Sequence, residues 1–282
     1  MKSINKILVP IDFSEHSANA LRYAVELAND LDASVSVVHV VLPEHDVVLL
    51  HPLTAIPFSK SKIELVISQI QSFVTKSLGS HKQDKDNIID VIECLISGNI
   101  VEGILEEAEK QEADLILMGV KTQKENKKEE YGVFWRRVLQ NASTNIMIVP
   151  EYVSYQSIKQ VICATEFIEA DPFELWQVTQ FMQQISPLLT CVHVDQQWSA
   201  EKISDLMAVE NFYRERVPSL KLSFTHVDHL ELTEKLHHFM IQQNADLLVL
   251  FKSKPLLLEQ VLKAIVRLRT DLYAKSPLLV II

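Results

Sequence analysis

The run Ala113-Asp114-Leu115-Ile116-Leu117-Met118-Gly119 returns 132 positions later as Ala245-Asp246-Leu247-Leu248-Val249-Leu250-Phe251. The segment Ala142 to Pro150 returns as Ala274 to Ile282 at the same offset. Earlier in the chain, Leu8 to Phe13 is matched by Ile162-Cys163-Ala164-Thr165-Glu166-Phe167, and Ser36 to Val40 by Thr190 to Val194, both at an offset of 154. Separate blocks that each keep register mark a duplication, and a duplicated unit must close its own core. The two offsets differ by 22 residues, so the second copy is shorter, with the loss between its second and fourth strands. The expected domains are residues 1–150 and 151–282, joined near Glu151 to Ser157.

Within the first copy, short β-branched runs alternate with amphipathic segments. Lys6 to Phe13 reads as a strand ending in Asp12, with Ser14 as the N-cap of a helix whose Ala18, Leu21, Ala24, Val25 and Ala28 face a core. Ser34 to Val41 is almost solid with β-branched residues, as in a strand covered on both faces. Ser59 to Leu78 and Ile100 to Gln111 have helical periodicity, Ile88 to Leu95 and Ile146 to Val149 strand character, and Phe134 to Asn141 a further amphipathic stretch. Buried strands joined by helices require parallel pairing. The fold class is therefore α/β: two doubly wound domains, each a five-stranded parallel sheet flanked by helices, with ligands expected at the carboxyl ends of the strands.

Composition narrows the function. A formal net charge of −10 argues against a general nucleic-acid binder. No uncharged apolar stretch reaches membrane-spanning length and Met1 to Lys6 has no signal-peptide character, so a cytoplasmic protein without membrane association is expected. Cys94, Cys163 and Cys191 are widely spaced, and the last two, inside apolar runs, read as buried inert thiols.

The stretches Ile7-Leu8-Val9-Pro10-Ile11-Asp12-Phe13-Ser14, Val38-His39-Val40, Ala113 to Gly119 and Asn145 to Pro150 resemble the universal stress proteins. The resemblance spans the first half and the outline of the second, and suggests a tandem bacterial member acting in the stress response. It implies a five-stranded parallel α/β sandwich, pairing of domains through their last strands, and a division into ATP binders and non-binders. Binders carry Gly-x2-Gly-x9-Gly-Ser/Thr after the fourth strand. Laid on this chain, the pattern reads Gly119, Thr122, Gly132, Val133, with the spacing kept and two residue types changed. Glycine admits backbone N–H groups to phosphate oxygens without a Cβ in the way. Thr122 adds bulk but retains a hydroxyl; Val133 lacks the expected one; Gly132 still opens a helix, whose N-terminus favours an anion. By the same resemblance Asp12 would face adenine or ribose with Pro10 and Val40 beside it, and Met118 would line the base pocket. Asp12 equally suits a helix-capping role. The intervening Lys121, Lys124, Lys127 and Lys128 are opposed by Glu125, Glu129 and Glu130, which favours a solvated loop over a phosphate clamp.

The second half contains no glycine. Phe251, Lys254 and Ala264 replace Gly119, Thr122 and Gly132, and Glu166 replaces Asp12, so no ATP is expected there. His39 and His193 sit at equivalent strand positions, each alone without a Cys, Asp or Glu at ligand spacing, and read as core histidines; His226, His229, His237 and His238 read as a surface cluster. No nucleophile motif accompanies Ser14 or Ser17.

The expected function is a non-catalytic stress protein acting through an unidentified protein partner, with a degenerate nucleotide site in the first domain and none in the second. ATP, with Mg2+, is the one cofactor the first domain could take, as a binder or slow hydrolase. The apolar linker Pro43 to Pro57, extended by Phe58, offers a third reading: an α/β protein binding another small molecule. The last strands, Ile146 to Val149 and Leu278 to Ile282, are expected to pair within the chain, and a homodimer of such units is open.

Overall fold

The computed structural model describes residues 3–42, 60–79, 89–96, 98–121, 131–165, 172–185, 187–195, 207–208, 211–212, 215–216, 221–228, 232–267 and 276–282. In the first half, β1 (Lys6–Pro10), α1 (Glu15–Leu31), β2 (Ser34–Val41), α2 (Lys60–Leu78), β3 (Ile89–Ile96), α3 (Ile100–Lys110), β4 (Leu115–Val120), α4 (Tyr131–Asn141) and β5 (Asn145–Pro150) come in this order. The second half contains β6 (Gln160–Thr165), α5 (Pro172–Ile185), β7 (Leu188–Asp195), β8 (Lys221–Asp228), α6 (Leu232–Gln242), β9 (Leu247–Phe251), α7 (Pro255–Arg267) and β10 (Leu278–Ile281).

The ten strands form one sheet in the order β3-β2-β1-β4-β5-β10-β9-β6-β7-β8. Pairing is parallel throughout each half. It becomes antiparallel only at the centre, where Ile148 faces Leu278, Met147 faces Leu279 and Ile146 faces Val280. Each of these two strands would otherwise end its half-sheet with a row of unpaired backbone groups, the edge that invites aggregation.

The strand register carries the duplication into three dimensions. Ile7 pairs with Val35 and Leu115, and Val161 with Leu189 and Leu247. Asp114 Oδ2 accepts the N–H groups of Asn5 and Lys6 at 2.9 and 3.1 Å; Asp246 Oδ2 accepts those of Lys159 and Gln160, both at 2.9 Å. These are the same contacts, displaced by 154 positions on the donor side and 132 on the acceptor side. Glu112 and Asn244, also equivalent, both take left-handed backbone (φ 52° and 50°) just beyond α3 and α6. The register also locates the deletion more narrowly than the sequence does. Residues 42–88 separate β2 from β3, but only 196–220 separate β7 from β8, so all 22 missing residues fall between the second and third strands.

Alternation sorts the core into two layers. Ile7, Val9, Leu115, Leu117, Met147 and Val149 face α1, α2 and α5. Leu8, Val38, Val40, Ile116, Met118 and Ile148 face α3 and α4, with α6 and α7 continuing that layer across the second half. Cys163 and Cys191 are fully buried register partners in the first layer. Burial, with Cys163 beside it, pushes the Cys191 thiol well above its ordinary range, which leaves it inert as a nucleophile.

Side chains tie the halves together beside the central ladder. Gln184 of α5 accepts the Ile4 N–H at 3.0 Å and donates to the Leu31 carbonyl at 3.2 Å. Arg136 of α4 donates to the Leu262 carbonyl of α7, and Lys252 to the Ala142 carbonyl, each at 2.8 Å. Asn19 of α1 donates to the carbonyls of Pro150 and Val153, fixing the chain where it leaves β5. No described helix is long and apolar enough to cross a membrane.

Candidate functional site

In the first half the sheet order reverses between β1 and β4, and the carboxyl ends of these strands meet the start of α1. Such a switch point is where open α/β sheets form a crevice. The sequence-predicted residues Pro10, Asp12, Val40, Met118 and Gly119 all lie on this edge, on β1, just after it, or near the ends of β2 and β4.

Asp12 is taken up by its own helix. Its Oδ1 accepts the Ser14 N–H at 3.0 Å and the Ser14 hydroxyl, while Oδ2 lies 3.4 Å from His16 Nε2. Ser14 is the N-cap, its hydroxyl accepting the Ser17 N–H at 3.2 Å. Desolvation raises the Asp12 pKa, but the hydrogen bonds from His16 and Ser14 outweigh it and hold the carboxyl below its usual range. A carboxylate at a helix N-terminus already supplies the negative charge that the helix dipole favours. The cap itself is Ser14, and Asp12 holds that cap from two residues upstream.

Phe13 bridges Asp12 and the cap with a left-handed backbone (φ 64°), a strained conformation for an aromatic residue. Its ring lies 4.5 Å from that of His39 and 5.5 Å, edge-on, from that of Phe73 on α2. His39 Nδ1 is 2.8 Å from the Ile11 carbonyl; a carbonyl only accepts, so this nitrogen carries the hydrogen. His39 is thus a satisfied, half-buried histidine, as the sequence indicates. His16 and Phe73 are the members of this edge that sequence reading passes over. The i, i+4 spacing of Asp12 and His16 is the one local signal that could have pointed to the first.

Gly119 has a packing reason to be glycine. A Cβ built there would stand 2.0 Å from the His16 carbonyl oxygen of α1. The space that a side chain would take here is filled by the backbone of α1. Met118 and Val40, 4% and 8% exposed, join Trp135, Val138 and Leu139 in one apolar cluster. Gly132 and Val133 fall in the first turn of α4, which begins one residue earlier than Gly132. Thr122, the charged residues from Lys124 to Glu130 and the apolar linker 43–58 lie outside the described residues.

The second half treats the same edge differently. Phe251, in the place of Gly119, is 2% exposed and shares a core cluster with Leu175 and Val178 of α5. The segment after it winds directly into α7 from Pro255, a residue suited to a first helical turn, with Leu257, Leu258, Val261 and Leu262 buried. Lys254 precedes this helix and Ala264 lies within it. Backbone N–H groups in that interior bond to their own helix and offer nothing to an anion. Glu166 and His229 lie outside the described residues. His237 departs from the surface cluster expected for it: it is 7% exposed within α6, because it falls on the helix face that carries the buried Leu236 and Met240.

The sequence profile of the universal stress protein family matches residues 3–150, more than half of the chain. The chain belongs to the universal stress protein family. Universal stress protein MJ0531 of Methanocaldococcus jannaschii is 28% identical over 145 residues, covering 51% of this chain and 81% of that protein. A universal stress protein from Archaeoglobus fulgidus aligns over 98% of both chains with a TM-score of 0.66 at 17% identity. A putative universal stress protein from Pseudomonas aeruginosa aligns over 99% of this chain and 93% of that one with a TM-score of 0.57 at 10% identity. At such identities the structural likenesses speak for the fold, and they extend it over both halves of this universal stress protein.

Proposed function

We propose that this chain is a tandem universal stress protein, with domains 1–150 and 151–282, that acts in the stress response through protein partners rather than by catalysis. Its first domain carries a degenerate nucleotide site and its second none. One observation carries this reading: the side-chain space at Gly119 is filled by the α1 backbone, and in the second half the equivalent position is a buried phenylalanine with a helix directly after it. Asp12, bound to Ser14 and His16, would have to leave these partners to serve a ribose. The two halves are proposed to work as one unit through the central β5–β10 ladder, a seam that stands in for the pairing of separate chains.

The competing reading, an ATP-binding or slowly hydrolysing first domain, draws on the gathering of Pro10, Asp12, Val40, Met118 and Gly119 at one sheet edge. Calorimetric titration of the full chain with ATP and Mg2+ separates the two. No saturable heat is expected for the native chain, and Thr122→Gly combined with Val133→Ser is expected to bring binding back. One equivalent of tightly bound ATP in the unaltered chain would overturn the proposal. cAMP, the ligand of one solved universal stress protein, belongs in the same titration.

A further inference from the structure

Strand pairing gives His193 a set of neighbours that spacing along the chain conceals. In the β7–β8 ladder His193 pairs with His226, and two residues on, Asp195 pairs with Asp228. Parallel strands alternate their faces with period two, so all four residues occupy one face of the ladder. They stand at its carboxyl end, the edge at which open α/β sheets place their ligands. Neighbouring strands are about 4.8 Å apart and alternate residues about 6.6 Å apart, so the four Cα positions outline a small quadrilateral.

The first half shows that this set is not inherited from the shared fold. The equivalent ladder pairs His39 with Cys94 and Val41 with Ile96. One histidine is common to both copies; the other three positions differ, and in the second copy all three are metal-binding types. Like charges set directly opposite in a ladder destabilise it, and Asp195 opposite Asp228 is such a pair in a chain of formal net charge −10. A cation removes that penalty. We propose that His193, His226, Asp195 and Asp228 form a site for a divalent transition metal, with Zn2+ the best match to two imidazoles and two carboxylates.

The test uses the full chain stripped with EDTA and titrated with Zn2+ by calorimetry, and with Co2+ by visible absorption. One saturable Zn2+ per chain and the d–d bands of four-coordinate Co2+ are expected. His193→Gln with His226→Gln should abolish both. Asp195→Asn with Asp228→Asn should weaken Zn2+ by at least the roughly 10–100-fold that loss of even an outer-shell partner costs. His238→Gln, on an exposed position of α6, should leave the titration unchanged. Without metal, the double Asp→Asn variant should be at least as stable as the unaltered chain. Should the histidine variant not fold, protection of His193 and His226 by Zn2+ against diethyl pyrocarbonate, read by peptide mass spectrometry, decides the question on the native chain. Absence of saturable binding by the native chain, an unchanged titration in the histidine variant, or no protection of these two histidines would each overturn the proposal.

Discussion

The ends of β4 and β9 are the same place in two copies of one unit, and they are built in opposite ways. At Gly119 the side chain is absent because the His16 carbonyl of α1 occupies its room. At Phe251 the side chain is large because α5, whose first described residue is Pro172, leaves an apolar site for it beside Leu175 and Val178. In the second copy a helix starts four residues after Phe251, at Pro255; in the first, the next described helix after Gly119 is α4, from Tyr131. One scaffold thus packs the same edge in two ways, with a helix backbone pressed onto a glycine or with a buried aromatic ring.

The comparison can be broken most forcefully at Phe251. Phe251→Ala should lower stability by about 3–5 kcal/mol, the usual cost of emptying a buried aromatic site, measured by urea unfolding. A loss below about 1 kcal/mol would mean that the closed edge is not held by this ring. Gly119→Ala is the complementary change. It should cost about 1–3 kcal/mol through overpacking against α1; unchanged stability would return Gly119 to a purely ligand-facing role. Asn19→Ala, which strips donors from the Pro150 and Val153 carbonyls, should cost about 1–2 kcal/mol and loosen the chain after β5, visible as faster amide exchange at Val153.

The smallest effect belongs to Asp12. Because its folded-state pKa is depressed, its contribution is present above the unfolded value of about 3.9 and is lost as the pH falls through the lower folded value. With 54% of the side chain exposed, screening holds that contribution to about 1 kcal/mol or less. Asp12→Asn should therefore be slightly destabilising at pH 7, with the gap to the native chain narrowing below about pH 4. A gap that widened in acid would show that the hydrogen bonds from Ser14 and His16 are not what the carboxylate gains on folding.

Much of the fold was written in the chain. β-branched runs such as Ser34 to Val41, the Ser14 cap and the two fixed offsets come from local chemistry and from duplication, and both leave their mark in linear order. The candidate site was legible as a set of positions, because Pro10, Asp12, Val40, Met118 and Gly119 end strands that a parallel sheet must bring to one edge. Their occupation was not legible. Whether Asp12 turns to its own helix, and whether the space at Gly119 belongs to a ligand or to His16, depends on how closely α1 docks on β4, and packing distance has no signature in spacing along the chain. The same holds for His193 and His226, which are 33 positions apart in the sequence and adjacent in the ladder. The amino-acid order by itself set the strands, their alternation and the number of copies, because these rest on local periodicity. Only the tertiary structure decided which groups meet across strands and what fills each edge, because such meetings are fixed by register and by the fit of whole elements against one another.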